Sequence, residues 1–257
     1  VGMEKKLKVL YTNGDSVSWG SELKDRTNRF STLLAKEKGL IDFNVASSGI
    51  SNDRIYRNTL RDLCKFINGE PIYNEELGYV KVDEIFVLIS FTAPTRFDYF
   101  DGDVFVNERL WTHKDKWGKI DEHHLTDSKY VIHQTHLTPS LLRVFHQIIS
   151  LKSFCEANKI PYLCINAFFN YDEDEIFTLN KDINTEKVAK QFDDTEDYFG
   201  LVDLWKQIPQ SFKDINLTKY LKGFKDDSMF EERGHPSPKG HKELTKLLLP
   251  YVTGNQI

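Results

Sequence analysis

Two short stretches near opposite ends of the 257-residue chain carry the residue types of nucleophilic chemistry. Gly14-Asp15-Ser16 follows directly on an apolar, β-branched run, so the Ser16 hydroxyl should stand at the end of a buried strand with its N–H at a turn or helix start. A serine so placed can attack a carbonyl and offer its N–H to the oxygen that becomes negative. A turn with a capping serine accounts equally for the tripeptide taken alone. Near the other end, His235 precedes Ser237-Pro238, with Glu232 just before it. A loop that short can set a carboxylate against one imidazole nitrogen and leave the other to act as base for a serine. On its own the pair is also what a surface histidine in a proline-containing turn looks like.

The elements between these stretches decide whether they can meet. Lys8 to Thr12 reads as a first buried strand, and Phe30, Leu33 and Leu34 recur at helical spacing ahead of Gly39. Phe43 to Ala46 suggests a second strand. From Ser51 to Ile67 a helical stripe carries Ile55, Leu60, Leu63, Cys64 and Ile67. Ile85-Phe86-Val87-Leu88-Ile89 is the continuous apolar run of a strand buried on both faces. Thr138-Pro139 opens a further helix with Leu141, Leu142 and Phe145, Pro161 to Ile165 reads as a fourth strand, and Ser237-Pro238 opens a last helix with Leu244, Leu247 and Leu248. Alternating strands and helices imply an α/β fold, a three-layer α/β/α sandwich around a mostly parallel sheet, with ligands bound beyond the carboxyl ends of the strands. One domain is expected over 4–252, with insertions at about 97–135 and 170–230. Both candidate stretches then fall at the same edge of the sheet.

Three ordered blocks resemble those of the SGNH (GDSL-like) hydrolases. Gly14-Asp15-Ser16-Val17-Ser18-Trp19-Gly20 is similar to the first block, which implies Ser16 as nucleophile and first oxyanion donor. Asn44-Val45-Ala46-Ser47-Ser48-Gly49 is similar to the second, which implies Gly49 as the next donor. Glu232-Arg233-Gly234-His235 is similar to the last, with glutamate where the family has aspartate, implying His235 as base and Glu232 as its orienting carboxylate. The third block departs. The family's Gly-x-Asn is replaced by Ser90-Phe91-Thr92, and loss of one oxyanion donor costs about a hundred- to a thousandfold in turnover. Thr92 either donates its hydroxyl in place of the asparagine or only caps the strand, and Ser90 is a second candidate donor. The resemblance implies the flavodoxin-like sandwich of that family and ester hydrolysis through an acyl-enzyme, needing no cofactor.

Further residues set the expected substrate. Asp15 and Arg96 are candidate substrate contacts, although Arg96 could instead pair with a carboxylate such as Asp98. Phe97, Tyr99, Phe100, Trp111 and Trp117 form either a sugar-binding rim or ordinary insertion core. With the resemblance, this points to a short-acyl, O-acetyl ester on a carbohydrate. An O-acyltransferase, or a carbohydrate-binding or structural protein of little or no activity on the same scaffold, are the alternatives. His123, His124, His133 and His136 lack the spacing of a zinc site, and Asp172-Glu173-Asp174-Glu175 lacks that of a calcium loop, so no metal is expected. A formal net charge of -5 argues against nucleic acid as partner, and no apolar run is long enough to cross a bilayer. Cys64, Cys155 and Cys164 read as buried thiols of a soluble, cytoplasmic protein, with Val1-Gly2 an appendage ahead of Met3 and no secretory signal. The oligomeric state is left open.

Overall fold

The computed structural model describes residues 6–82, 84–94, 96–101, 104–108, 137–169, 171 and 200–253. Four parallel strands form the central sheet: β1 (Val9–Gly14), β2 (Ile41–Asn44), β5 (Ile85–Phe91) and β8 (Tyr162–Asn166), in the order β2-β1-β5-β8. Two antiparallel hairpins stand apart from it, β3 (Ile72–Asn74) with β4 (Gly78–Val80), and β6 (Phe97–Asp101) with β7 (Val104–Glu108).

Alternation along the strands builds two cores. Tyr11, Val87, Ile89 and Cys164 face one side, against α3 (Asn52–Ile67) and α4 (Leu137–Ala157). Leu10, Phe86, Leu88, Leu163 and Ile165 face the other, against α2 (Phe30–Lys38) and the last helix. Both faces of β1, β5 and β8 are therefore covered, as strands of a parallel sheet require, and β5 reads as an unbroken apolar run; β2, at the sheet's edge, starts at the exposed Ile41 and sends Phe43 into the first core. This is the expected α/β sandwich.

Between β8 and the last helix lie α5 (Leu201–Gln207), α6 (Gln210–Asp214) and α7 (Leu217–Lys222), the last helix, α8, being Pro238–Leu248. The expected insertion at 170–230 is thus helical from Leu201 onward: Leu201, Trp205 and Phe212 are buried in the first core, while Leu217 and Leu221 enter the second. Helices of five to seven residues are too short to show a period. The second strand runs two residues earlier than expected, and α4 starts at Leu137, which puts Pro139 inside its first turn, where its missing N–H is no loss. Cys155 and Cys164 are buried thiols as expected, but Cys64 is exposed, on the outer flank of α3. Among the described residues, no helix is long and apolar enough to cross a membrane.

Candidate active site

β1 ends in a strand-to-helix turn that presents Ser16. Asp15 is the N-cap of α1 (Ser16–Trp19), its Oδ1 accepting the Val17 N–H at 3.0 Å. Gly20, at φ 78°, closes that single turn, and the Ser21 N–H donates back to the Ser16 carbonyl at 3.0 Å. Gly14 must be glycine, since an added Cβ would lie 2.6 Å from Ser18 Oγ and 2.9 Å from both the Cβ and the carbonyl oxygen of Ser90. Ser16 itself is 7% exposed. As first residue of a helix, it has an N–H that no intrahelical acceptor reaches.

The loop after β2 is tied to the same turn. Ser47 N–H donates to the Gly14 carbonyl at 3.1 Å, and Asn44 Nδ2 donates to the Ser18 carbonyl at 2.9 Å while its Oδ1 accepts the Ala46 N–H. Gly49 is buried at φ 75°, a left-handed conformation open to glycine at little cost. Asn52, the first residue of α3, clamps the end of β5: its Oδ1 accepts the Thr92 N–H at 2.8 Å, and its Nδ2 donates to the carbonyls of Thr92 and Ala93. Its amide is spent there.

His235 is held by a carboxylate that sequence reasoning did not find. Glu22 Oε2 lies 2.6 Å from His235 Nδ1 and accepts the His235 N–H at 3.3 Å, while Oε1 accepts the Arg233 N–H at 3.0 Å. Glu232, the expected orienting residue, is instead exposed and makes no hydrogen bond to His235. The reason is local. Glu231 N–H bonds to the His235 carbonyl at 2.7 Å and Phe230 bridges to Pro236, so the chain doubles back and Glu232 occupies the outer tip of the loop. Partial burial pushes the Glu22 carboxyl up, but its hydrogen bonds from His235 and from the two backbone N–H groups outweigh this and hold it below the usual value. Nothing in the linear sequence marks Glu22, which stands at φ 70° in the turn after α1. The loop's base is fixed too: Ser237 Oγ donates to the Ser228 carbonyl at 2.6 Å and accepts the Gly240 N–H, and Gly240 presses so closely on the Met229 carbonyl that a Cβ has no room.

Asp15 and Arg96 meet beneath Ser16. Asp15 is fully buried, with Arg96 Nη1 3.9 Å from its Oδ2, and Arg96 also stacks its guanidinium 4.9 Å from the Phe168 ring centroid. Burial pushes the Asp15 carboxyl up; Arg96, the Thr92 hydroxyl, the Val17 N–H and His235 each draw it back down. The Thr92 hydroxyl thus lies against Asp15, although it makes no hydrogen bond of standard geometry there. Asp98, the carboxylate expected for Arg96, accepts from Ser51, Arg54 and Arg57. The Ser90 hydroxyl is fully buried. Trp111, Trp117, His123, His124, His133, His136 and Asp172 to Glu175 lie outside the described residues, as do the side chains of Phe97, Tyr99 and Phe100. Among the described residues, no three His, Cys, Asp or Glu side chains are grouped to hold a metal.

A parallel four-stranded sheet with helices on both faces places the protein in the α/β class. Within it, the chain belongs to a family of unknown function (DUF6071), whose model matches residues 18–189. No curated protein matches the chain by sequence. Among solved structures it is similar to TesA, at 13% identity over 95% of this chain and 98% of that one, with a TM-score of 0.48. It is also similar to a member of the lipolytic protein G-D-S-L family from Veillonella parvula, at 13% identity over 95% and 98% of the two chains, with a TM-score of 0.42. An acetyl xylan esterase from the rumen bacterium Butyrivibrio proteoclasticus is similar at 14% identity over 95% of this chain and 63% of that one, with a TM-score of 0.40.

Proposed function

We propose that the chain is a serine esterase in which Ser16 is the nucleophile, His235 the general base and Glu22, in place of Glu232, the orienting carboxylate. The observation that carries this reading is the grip of Glu22 on Nδ1 and on two backbone N–H groups of the histidine loop. With Nδ1–H donated to Glu22, Nε2 keeps its lone pair and can take the Ser16 proton. Glu22 lies in the turn whose Ser21 N–H is bonded to the Ser16 carbonyl, so its contacts with His235 tie the histidine loop to the serine turn, which supports the pairing.

In the proposed reaction Ser16 Oγ attacks an ester carbonyl as His235 Nε2 removes its proton, and the oxyanion accepts from the N–H groups of Ser16 and Gly49. The intermediate collapses, His235 protonates the departing alcohol, and a water deprotonated by His235 then releases the acyl group from Ser16. Asn52 is committed to β5 and the Thr92 hydroxyl faces Asp15, so two backbone donors carry the oxyanion. Asp15 and Arg96 support the serine turn from below. The preferred substrate is a short-acyl, O-acetyl ester of a carbohydrate. Turnover of p-nitrophenyl acetate tests the reading: the wild type should hydrolyse it, and Ser16→Ala and His235→Ala should each fall to the rate of buffer. Equal turnover by all three would overturn it.

A further inference from the structure

Beyond the end of β2, one strand away from the serine turn, lies a cavity of about 310 Å³. Its wall is shared with the candidate active site. Trp19, the last residue of α1, lines it, and so do Val45 to Ser47, the start of the loop that leads to Gly49. The opposite wall comes from Asn58, Arg61 and Asp62 of α3 and from Tyr73 to Glu76 of the β3–β4 hairpin.

We propose that this cavity binds a neutral sugar ring and that the hairpin beside it carries the next residues of a glycan. The bearing on substrate rests on the esterase reading; the binding itself does not.

The lining polar groups are those that recognise hydroxyls. Among the described residues, the Asn58 amide, the Ser47 hydroxyl and the Glu75 carboxylate make no hydrogen bond with protein, so an amide, a hydroxyl and a carboxylate are available to a ligand. Other lining groups are already engaged and stiffen the wall. Asp62 accepts from Tyr11 at 3.0 Å and from Arg61 at 2.9 Å, Asn74 donates to the Asn44 carbonyl at 2.8 Å, and Glu76 is anchored on the buried Arg29 at 2.7 Å.

The charges select against anions. Asp62 is paired with Arg61 and Glu76 with Arg29, which leaves the Glu75 carboxylate as the uncompensated charge among the described lining residues, so a phosphate or carboxylate would meet net repulsion. Val45 and Ala46 are the only aliphatic side chains among the described lining residues, too few to enclose an acyl chain, and the remaining apolar surface is the rings of Trp19 and Tyr73. The volume is at the low end for ligand sites and suits a single ring.

The rim supplies a second, independent observation. Tyr73 and Tyr79 are 58% and 76% exposed, with ring centroids 5.4 Å apart, and Leu77 between them is 43% exposed. A short hairpin whose exposed face carries two adjoining aromatic rings beside a polar cavity has the mixed surface that the apolar faces and hydroxyl edges of sugars require.

The test uses full-length Ser16→Ala protein, titrated calorimetrically with cellotriose, xylotriose, mannotriose, trigalacturonic acid and choline at millimolar concentrations. Saturable binding of a neutral trisaccharide is expected, weakened at least about fivefold by adding Asn58→Ala and Tyr73→Ala, the loss of one hydrogen bond and one ring contact. Tyr73 is exposed and Asn58 partly so, and thermal melting of the substituted protein should match that of Ser16→Ala, which separates lost binding from lost fold. No binding of any neutral sugar, binding unaffected by the two substitutions, or preference for trigalacturonic acid or choline would each overturn the proposal. Absence of turnover in the wild type would count against the esterase reading alone and leave the binding result standing.

Discussion

Replacing Glu22 with glutamine separates the two carboxylates that could orient His235. Glu22 accepts from Nδ1 at 2.6 Å and from two backbone N–H groups at 3.0 and 3.3 Å, all on a carboxylate whose side chain is 18% exposed. An amide cannot accept at both ends. With its oxygen toward His235, its NH2 meets the Arg233 N–H; turned over, its NH2 meets Nδ1 and favours the tautomer that protonates Nε2, which is useless as a base. Loss of the negative charge also leaves the imidazolium of the transition state without its partner. Amide replacement of an orienting carboxylate in a serine triad costs about ten-thousandfold in kcat, and since one orientation of the new amide keeps the correct tautomer, about a thousandfold is expected here, or roughly 4 kcal/mol in the barrier. Glu232→Gln, at an exposed loop tip, should change kcat by less than about twofold, as surface substitutions away from such contacts do. The assay is steady-state hydrolysis of p-nitrophenyl acetate, with thermal melting run beside it to separate orientation from loss of fold. If Glu232→Gln lost activity and Glu22→Gln kept it, the assignment would be wrong.

Two further outcomes follow from buried polar groups. His241 accepts the Phe30 N–H on Nδ1 at 3.1 Å, and burial, with the nearby charges of Arg29 and His235, pushes it down from 6.5 to about 3. Below 6.5 the unfolded chain takes up a proton that the folded chain refuses, so the folded state should lose stability from pH 6.5 down to about pH 3, by at most about 1.4 kcal/mol per unit. His241→Gln should flatten the dependence of Tm on pH over that window, and an unchanged slope would show that His241 is not its source. Thr92→Val, which removes the hydroxyl beside Asp15 while keeping the shape, should lower kcat less than about tenfold, whereas loss of a true oxyanion donor would cost about a hundred- to a thousandfold.

The parts of the fold legible in the sequence are those whose burial writes a period. β5 is buried at every position and reads as an apolar run; α3 is found as a helix, but its buried face runs through Ile55, Thr59, Leu63 and Phe66, while Cys64 and Ile67 of the expected stripe are exposed. Ser237 before Pro238 announces α8 because the cap and the first turn need those residue types. The β3–β4 hairpin escaped notice because its strands are three residues each and half exposed, and the helices after Leu201 because each is two turns or fewer. The places of Ser16 and His235 in the fold were legible for a related reason, since the end of β1 and the start of α8 fix where they lie. The carboxylate on His235 was not. Glu22 and His235 are far apart in sequence, their contact depends on how a non-repetitive loop turns back at Glu231, and the adjacent Glu232 offered a shorter path that the loop does not take.

Covalent capture of the serine tests the central claim most directly. Incubation of the wild type with a fluorophosphonate, followed by peptide mass mapping, should place one adduct on Ser16, slowed strongly in His235→Ala and in Glu22→Gln and absent in Ser16→Ala. A folded wild-type protein that takes up no adduct, or takes it up at another residue, would contradict the account.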